Sequence, residues 1–155
     1  MRLSLIGVSI ACSIGLLASS SAMAGDVRIE GRGGVSWVGG TSAKGTYGAA
    51  VGYDQSIGLL GTGVYAGVEQ SVDKASSGGD ARWGTSARAG VKVLGLGNLY
   101  AVAGYHYGSG ASAMSLGAGY QKGLGPVFGK VEYRHYFADA GQKADGLLVG
   151  FGVAF

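Results

Sequence analysis

The segment Gly146-Leu147-Leu148-Val149-Gly150-Phe151-Gly152-Val153-Ala154-Phe155 alternates with a period of two. Successive side chains of a strand point to opposite sides, so Leu147, Val149, Phe151, Val153 and Phe155 share one face. Gly146, Leu148, Gly150, Gly152 and Ala154 share the other. A water-exposed strand carries polar residues on its second face. Here one face is large and apolar, and the other is mostly very small.

The segment before it separates the two faces by charge. Val127, Gly129, Val131, Tyr133, His135 and Phe137 have one parity, and Phe128, Lys130, Glu132, Arg134 and Tyr136 the other. Residues 82–93 repeat the arrangement, with Trp83, Thr85, Ala87, Ala89, Val91 and Val93 against Arg82, Gly84, Ser86, Arg88, Gly90 and Lys92. Such alternation makes a poor helical face and a natural two-faced strand. Extended along the chain, it predicts eight strands near 26–38, 46–57, 62–72, 81–93, 98–107, 112–122, 126–137 and 145–155. Each is close to the ~9–11 residues that a tilted strand needs to cross a bilayer.

The connections alternate in character. Gly39–Gly45, Asp73–Asp80, Gly108–Ala111 and Ala138–Ala144 are small or polar, whereas Gly58-Leu59-Leu60-Gly61, Gly95-Leu96-Gly97 and Gly123-Leu124-Gly125 are tight. Long loops on one side and short turns on the other match an outer-membrane barrel with both strand ends on the periplasmic side. The expected fold is all-β: an eight-stranded antiparallel up-and-down transmembrane barrel over residues 25–155.

Residues 1–24 read differently. Arg2, an apolar stretch from Leu3 to Ala18 and the small-x-small pattern Ala22-Met23-Ala24 predict a secretory signal peptide cleaved near Ala24. Cys12, the one cysteine, falls inside that stretch. Disulfides therefore cannot hold the exported part together. Without Arg2 the chain has eleven basic against nine acidic residues and no Lys/Arg run, which gives no reason to expect nucleic acid. Nothing after Ala24 approaches 18 consecutive apolar residues, so no spanning helix is expected. The 33 glycines show no Gly-X-Y period.

Parity assigns the side chains. Arg28, Glu30, Arg32, Asp54, Glu69, Arg82, Arg88, Lys92, Lys130, Glu132 and Arg134 are expected to point inward, joined by His106 and Gln121. They comprise seven basic and four acidic groups in a lumen barely wider than its own side chains. Bare charge there is costly, so Glu30, Asp54, Glu69 and Glu132 should be bridged by Arg or Lys, with surplus positive charge near the barrel ends. On the outer face, Trp37, Tyr47, Trp83, Tyr105, Tyr107 and Phe137 are expected near the external rim, and Tyr53, Tyr120 and Phe155 near the periplasmic rim. The same parity in a soluble barrel or sandwich would turn the apolar face inward. The leader, the two aromatic belts and the terminal Phe155 weigh against that inversion.

Val131-Glu132-Tyr133-Arg134 followed by Ala138-Asp139 resembles a segment of the opacity-type outer-membrane proteins, and so does Leu99-Tyr100-Ala101-Val102-Ala103-Gly104-Tyr105. The last strand, with Leu147, Val149, Phe151, Val153 and Phe155, resembles the C-terminal sorting signal that the barrel assembly machinery reads. The resemblance extends over the exported part in architecture and over about three strands in specific residues. It implies an OmpA- and OmpX-like fold, outer-membrane location and, in some members, adhesion to host surfaces.

The function expected is that of a non-enzymatic envelope protein of the opacity/porin-like type with a narrow or closed lumen. Aqueous channels need barrels of roughly 16–18 strands. Outer-membrane lipids and, during biogenesis, the barrel assembly machinery are the implied partners; no cofactor is implied, and any host or surface ligand is unknown. A receptor or adhesin acting through the external loops is the alternative, although those loops lack the Tyr, Trp and Arg that anchor protein contacts. A lipid A-modifying hydrolase is the third reading. Some eight-stranded barrels deacylate lipid A with a His-x-Ser pair at the outer rim, but here His135 is followed two residues on by Phe137. Two histidines and no cysteine after the leader give no convincing zinc site.

Overall fold

The alternating segments pair with one another in chain order and close on themselves. The computed structural model describes residues 25–39, 42–59, 62–108, 112–138 and 141–155. The expected leader and its expected cleavage site near Ala24, Leu60-Gly61 of one turn and Asp139 lie outside the described residues. The strands are β1 (Gly25–Val38), β2 (Lys44–Leu59), β3 (Thr62–Ala75), β4 (Arg82–Val93), β5 (Gly97–Gly108), β6 (Ala113–Leu124), β7 (Val127–Ala138) and β8 (Lys143–Ala154). Every neighbouring pair is antiparallel, and β1 pairs with β8, giving a closed eight-stranded up-and-down barrel.

Closure satisfies the backbone of the last strand. The β1–β8 ladder runs from Arg28 opposite Ala154 to Val38 opposite Ala144. Beyond it, Val27 N donates to Phe155 O at 2.8 Å, and Phe155 N donates to Val27 O at 3.0 Å. No sheet edge is left for another chain to extend.

The two ends differ. At one, residues 39–43, 76–81, 109–112 and 139–142 connect the strands; at the other, residues 60–61, 94–96 and 125–126 do so. The short turns use glycine where L side chains are strained: Gly95 has φ 78° and Gly125 φ 64°. Leu96 N donates to Val93 O at 3.0 Å and closes the 94–96 turn.

Several strands are longer than the sequence suggested. β2 begins at Lys44 rather than residue 46 and ends at Leu59 rather than 57, and β3 continues from residue 72 to Ala75. The ladder carries them on: Asp73 lies opposite Gly48, and Ser76 N donates to Gly45 O at 2.9 Å. Asp73, expected in a loop, is therefore a strand residue, and Pro126, expected to open a strand, lies in the turn before β7.

Apolar and charged residues occupy the opposite places from those in a water-soluble barrel. One outward residue from each strand (Ile29, Val51, Val68, Val91, Leu99, Leu116, Val131 and Val149) is 41 to 60% exposed. On the other parity, Arg28 is 1% and Arg134 0% exposed. The buried apolar cluster is small and consists of Tyr65, Tyr100 and Val102.

Candidate functional site in the barrel lumen

Inward glycines make the lumen wide enough for long side chains. A Cβ on Gly52 would lie 2.5 Å from Arg28 Nη2 and 3.0 Å from the Val68 carbonyl, and one on Gly119 would overlap the Tyr100 ring. Arginine, lysine and tyrosine reach across the space that these positions leave.

Arg28, Glu30, Arg32, Asp54, Glu69, Arg88, His106, Lys130, Glu132 and Arg134 are all buried in the lumen, as is Gln121. Glu69 on β3 is the hub. Its carboxylate meets Arg32 Nη1 at 2.9 Å, Lys130 Nζ at 3.3 Å, Arg134 Nη2 at 3.3 Å and Arg28 Nη2 at 3.4 Å. Lys130 and Arg134 stand on β7, diametrically opposite β3 in the eight-strand order, so these contacts bridge the full width of the lumen.

The remaining contacts join in both directions along the barrel. Lys130 Nζ meets Glu30 at 2.5 Å and Glu132 at 3.6 Å, and Arg134 pairs with Glu132. Tyr100 on β5 donates its hydroxyl to Glu132 at 2.7 Å. Arg28 Nε donates to Asp54 at 2.7 Å, and Arg88 grips the same carboxylate through two nitrogens. Arg88 also donates to Gln121 at 3.0 Å, and its guanidinium lies 4.9 Å from the Tyr100 ring centroid and 5.4 Å from that of Tyr65. Toward the long-loop end, Arg134 Nη1 donates to Ser86 at 2.9 Å, and His106 shares a hydrogen bond with Ser115 at 2.9 Å. His106 also makes an edge contact with Tyr136.

Asp73 changes the charge balance expected from parity. Arg32 donates to both of its carboxylate oxygens, through Nε at 2.7 Å and through Nη2. Arg28, Arg32, Arg88, Lys130 and Arg134 thus face Glu30, Asp54, Glu69, Asp73 and Glu132 in one connected network of equal and opposite charge. Arg82 and Lys92 are half-buried nearer the two ends, and Lys92 meets Asp26 at 3.4 Å. Asp26, Asp73, Tyr65 and Tyr100 are lumen residues that were not singled out from the sequence. Asp73 continues the parity of Glu69 and Ser71, a signal lost by ending the strand at residue 72.

Beyond the network, two vestibules open. The one at the long-loop end, of about 450 Å³, is lined in part by Asp73, Arg82, Tyr136 and Gln142. The one at the short-turn end, of about 290 Å³, is lined in part by Lys92, Asn98 and Lys122. Between them, ion-paired side chains fill the barrel.

On the outer face, Tyr47, Trp83, Tyr105 and Phe137 are exposed near the long-loop end, with Trp37 and Tyr107 half-exposed beside them. Tyr120 and Phe155 are exposed toward the short-turn end, and Tyr53 is half-exposed there. Leu147, Val149, Phe151 and Val153 also face outward. His135 is outward and half-buried, 2.7 Å from Asp145 and packed edge-on against Phe137. The position where a nucleophilic serine would serve that histidine is thus an aromatic ring. Among the described residues, no group of three or more His, Cys, Asp or Glu is arranged to hold a metal ion.

No family model matches this chain, and no curated protein matches it. Among solved structures, it is similar in fold to the crystal structure of Neisserial surface protein A (NspA), with a TM-score of 0.53 and 10% identity over 84% of this chain and 97% of that one. The likeness is one of fold.

Proposed function

We propose that this chain is an integral protein of the bacterial outer membrane, a non-enzymatic barrel of the opacity/porin-like type that contributes to envelope structure with a closed lumen. The observation that carries this reading is the inversion of the barrel: charge inside, apolar side chains outside on all eight strands. Water on that outer surface would face an apolar band around the whole circumference, whereas hydrocarbon matches it and closure leaves no unpaired edge. Aromatic side chains toward both ends suit the two membrane interfaces. The likeness to the Neisserial surface protein supports the same architecture.

In this reading the leader ending near Ala24 directs export, the outward residues from Leu147 to Phe155 engage the barrel assembly machinery, and outer-membrane lipids surround the folded product. The long-loop end is external. Its connections are four to six residues long and contain no Tyr, Trp or Arg, which favours a structural role over adhesion. The network bridging β3 and β7 crosses the middle of the lumen, which supports a lumen closed to sugar-sized solutes.

Fractionation of cells expressing the chain tests the location, and liposome swelling tests the lumen. The expected result is a protein confined to outer membranes that migrates differently in gels before and after boiling, with no swelling in sugar solutions. A soluble periplasmic pool with one unshifted band contradicts the membrane assignment, and sugar-driven swelling contradicts the closed lumen.

A further inference from the structure

The two vestibules differ in charge. The one at the long-loop end carries Asp73 and Asp80 against Lys74 and Arg82. The one at the short-turn end carries Lys92 and Lys122, and no carboxylate side chain among the described residues lines it. Lys92 Nζ meets Asp26 at 3.4 Å and donates to Ser56 Oγ at 3.3 Å, so its charge is matched and one of its three N–H groups is left over. Lys122 is exposed and has no ion-pair partner among the described residues. The cavity therefore holds one unmatched positive charge with a second ammonium beside it.

The fold builds this cavity from two neighbouring turns. It is lined from the 94–96 turn and from the 125–126 turn, which come together because β5 starts and β6 ends at this side. The Tyr120 hydroxyl donates to the Leu96 carbonyl and ties the first turn to β6. Gly97, with φ 115°, lies so close to that strand that a Cβ would stand 2.8 Å from the Gln121 carbonyl oxygen. Asn98 adds a side-chain amide that makes no hydrogen bond among the described residues. At the edge of the cavity stand Leu94, Leu96 and Leu124, 67 to 81% exposed. Such turn tips are unfavourable in water and favourable against acyl chains.

We propose that this cavity binds the phosphate of an anionic phospholipid in the periplasmic leaflet, with Lys122 and Lys92 on the phosphate oxygens and Asn98 on a headgroup hydroxyl. The inference rests on the membrane reading above, which sets the short-turn end at that leaflet. Unmatched positive charge selects an anion, and ammonium donors suit phosphate oxygens. One excess positive charge is met by a headgroup with one net negative charge, whereas a choline headgroup would bring a further cation to the two lysines. The leucines select a lipid over free phosphate, because they offer its first methylenes an apolar contact that an inorganic ion cannot use.

The charge-balanced vestibule at the other end supplies the reference for the test. In protein purified from cells and held in uncharged maltoside micelles, the backbone amide signals of Gly97 and Gly125 are followed during titration, beside those of Gly78 and Gly79 in the long-loop vestibule. The probe is short-chain phosphatidylglycerol, compared with phosphatidylcholine of the same chain length and with inorganic phosphate. The expected result is a saturable shift of Gly97 and Gly125 with phosphatidylglycerol, none at Gly78 and Gly79, and weak non-saturating shifts with both comparison compounds.

Lys122→Gln should weaken the apparent affinity about tenfold, as expected for loss of one charge-assisted contact, while Lys122→Arg retains it. Heat-shifted gel migration shows that each variant is folded. Unmoved turn signals, an equal response to phosphatidylcholine, saturation by inorganic phosphate alone, or full affinity in Lys122→Gln would each overturn the site. Because binding is read in micelles, failure here is separate from failure of the chain to reach the outer membrane.

Discussion

Neighbouring residues on β1 live in opposite surroundings. Ile29 is 50% exposed, whereas Arg28 and Glu30 on either side of it are 1% and 2% exposed. The contrast recurs on the other strands and separates the molecule into an inner and an outer face that obey different rules. Inside, stability depends on matching charges, because each ion buried without a partner is strongly unfavourable. Outside, it depends on the solvent: the apolar face is a liability in water and a requirement in lipid. A barrel with so small an apolar interior cluster, Tyr65, Tyr100 and Val102, cannot be held together by interior hydrophobic burial alone. The inter-strand ladder and the ion network share that role, joined in the proposed membrane setting by the surrounding hydrocarbon.

The inner face is the more sensitive of the two. Glu69→Ala removes the acceptor that Arg28, Arg32, Lys130 and Arg134 share and leaves surplus positive charge in the lumen. Urea unfolding of the barrel in vesicles should show a loss of about 3–5 kcal/mol. An unchanged midpoint would mean that water enters the lumen freely and solvates those cations. From outside, Val149→Arg puts a charge midway along β8 on the outward face; the expected cost is about 2–4 kcal/mol in vesicles. A cost near zero would place that residue in water. The smallest effect sharpens the contrast. Lys92→Gln breaks a pair whose side chains are 24% and 50% exposed, Lys92 with Asp26, and should change stability by no more than about 1 kcal/mol. A loss comparable with that of Glu69→Ala would show that the network continues into the short-turn end.

The fold was largely legible because the alternation carries unusual contrast. With Val, Leu and aromatics on one parity and Arg, Glu and Gly on the other, a strand and its two faces can be read without knowing its partners. Strand ends were less legible, since the ladder stops where backbone pairing stops and not where the side-chain pattern fades. Lys44 and Gly45 pair across to β1, and Asp73 pairs back to Gly48, although none of these residues extends a hydrophobic pattern. That local ambiguity had a chemical consequence: with Asp73 left in a loop, Arg32 lacked one of its two carboxylate partners.

Parity also gives a face without giving a meeting place. It puts Glu69 and Lys130 inside, but their contact at 3.3 Å depends on the barrel's width and on the relative heights of strands far apart in sequence. The same limit hid Asp145 as the partner of His135, because their contact follows from the β7–β8 register and from the Tyr133 hydroxyl reaching up from the rung below. Seen from the sequence, His135 was an interface aromatic beside a missing serine; in the structure it is held by a carboxylate.

The most direct test of the inside-out arrangement is the environment of one outward residue halfway along a strand. A spin label attached at Val149→Cys, in a Cys12→Ser background and reconstituted into lipid vesicles, reports collisions with dissolved oxygen and with a water-soluble nickel chelate. High oxygen and low nickel accessibility are expected, as for a site in hydrocarbon. High nickel accessibility at that position would contradict it, because the apolar face would then lie in water and the proposed membrane assignment would fail.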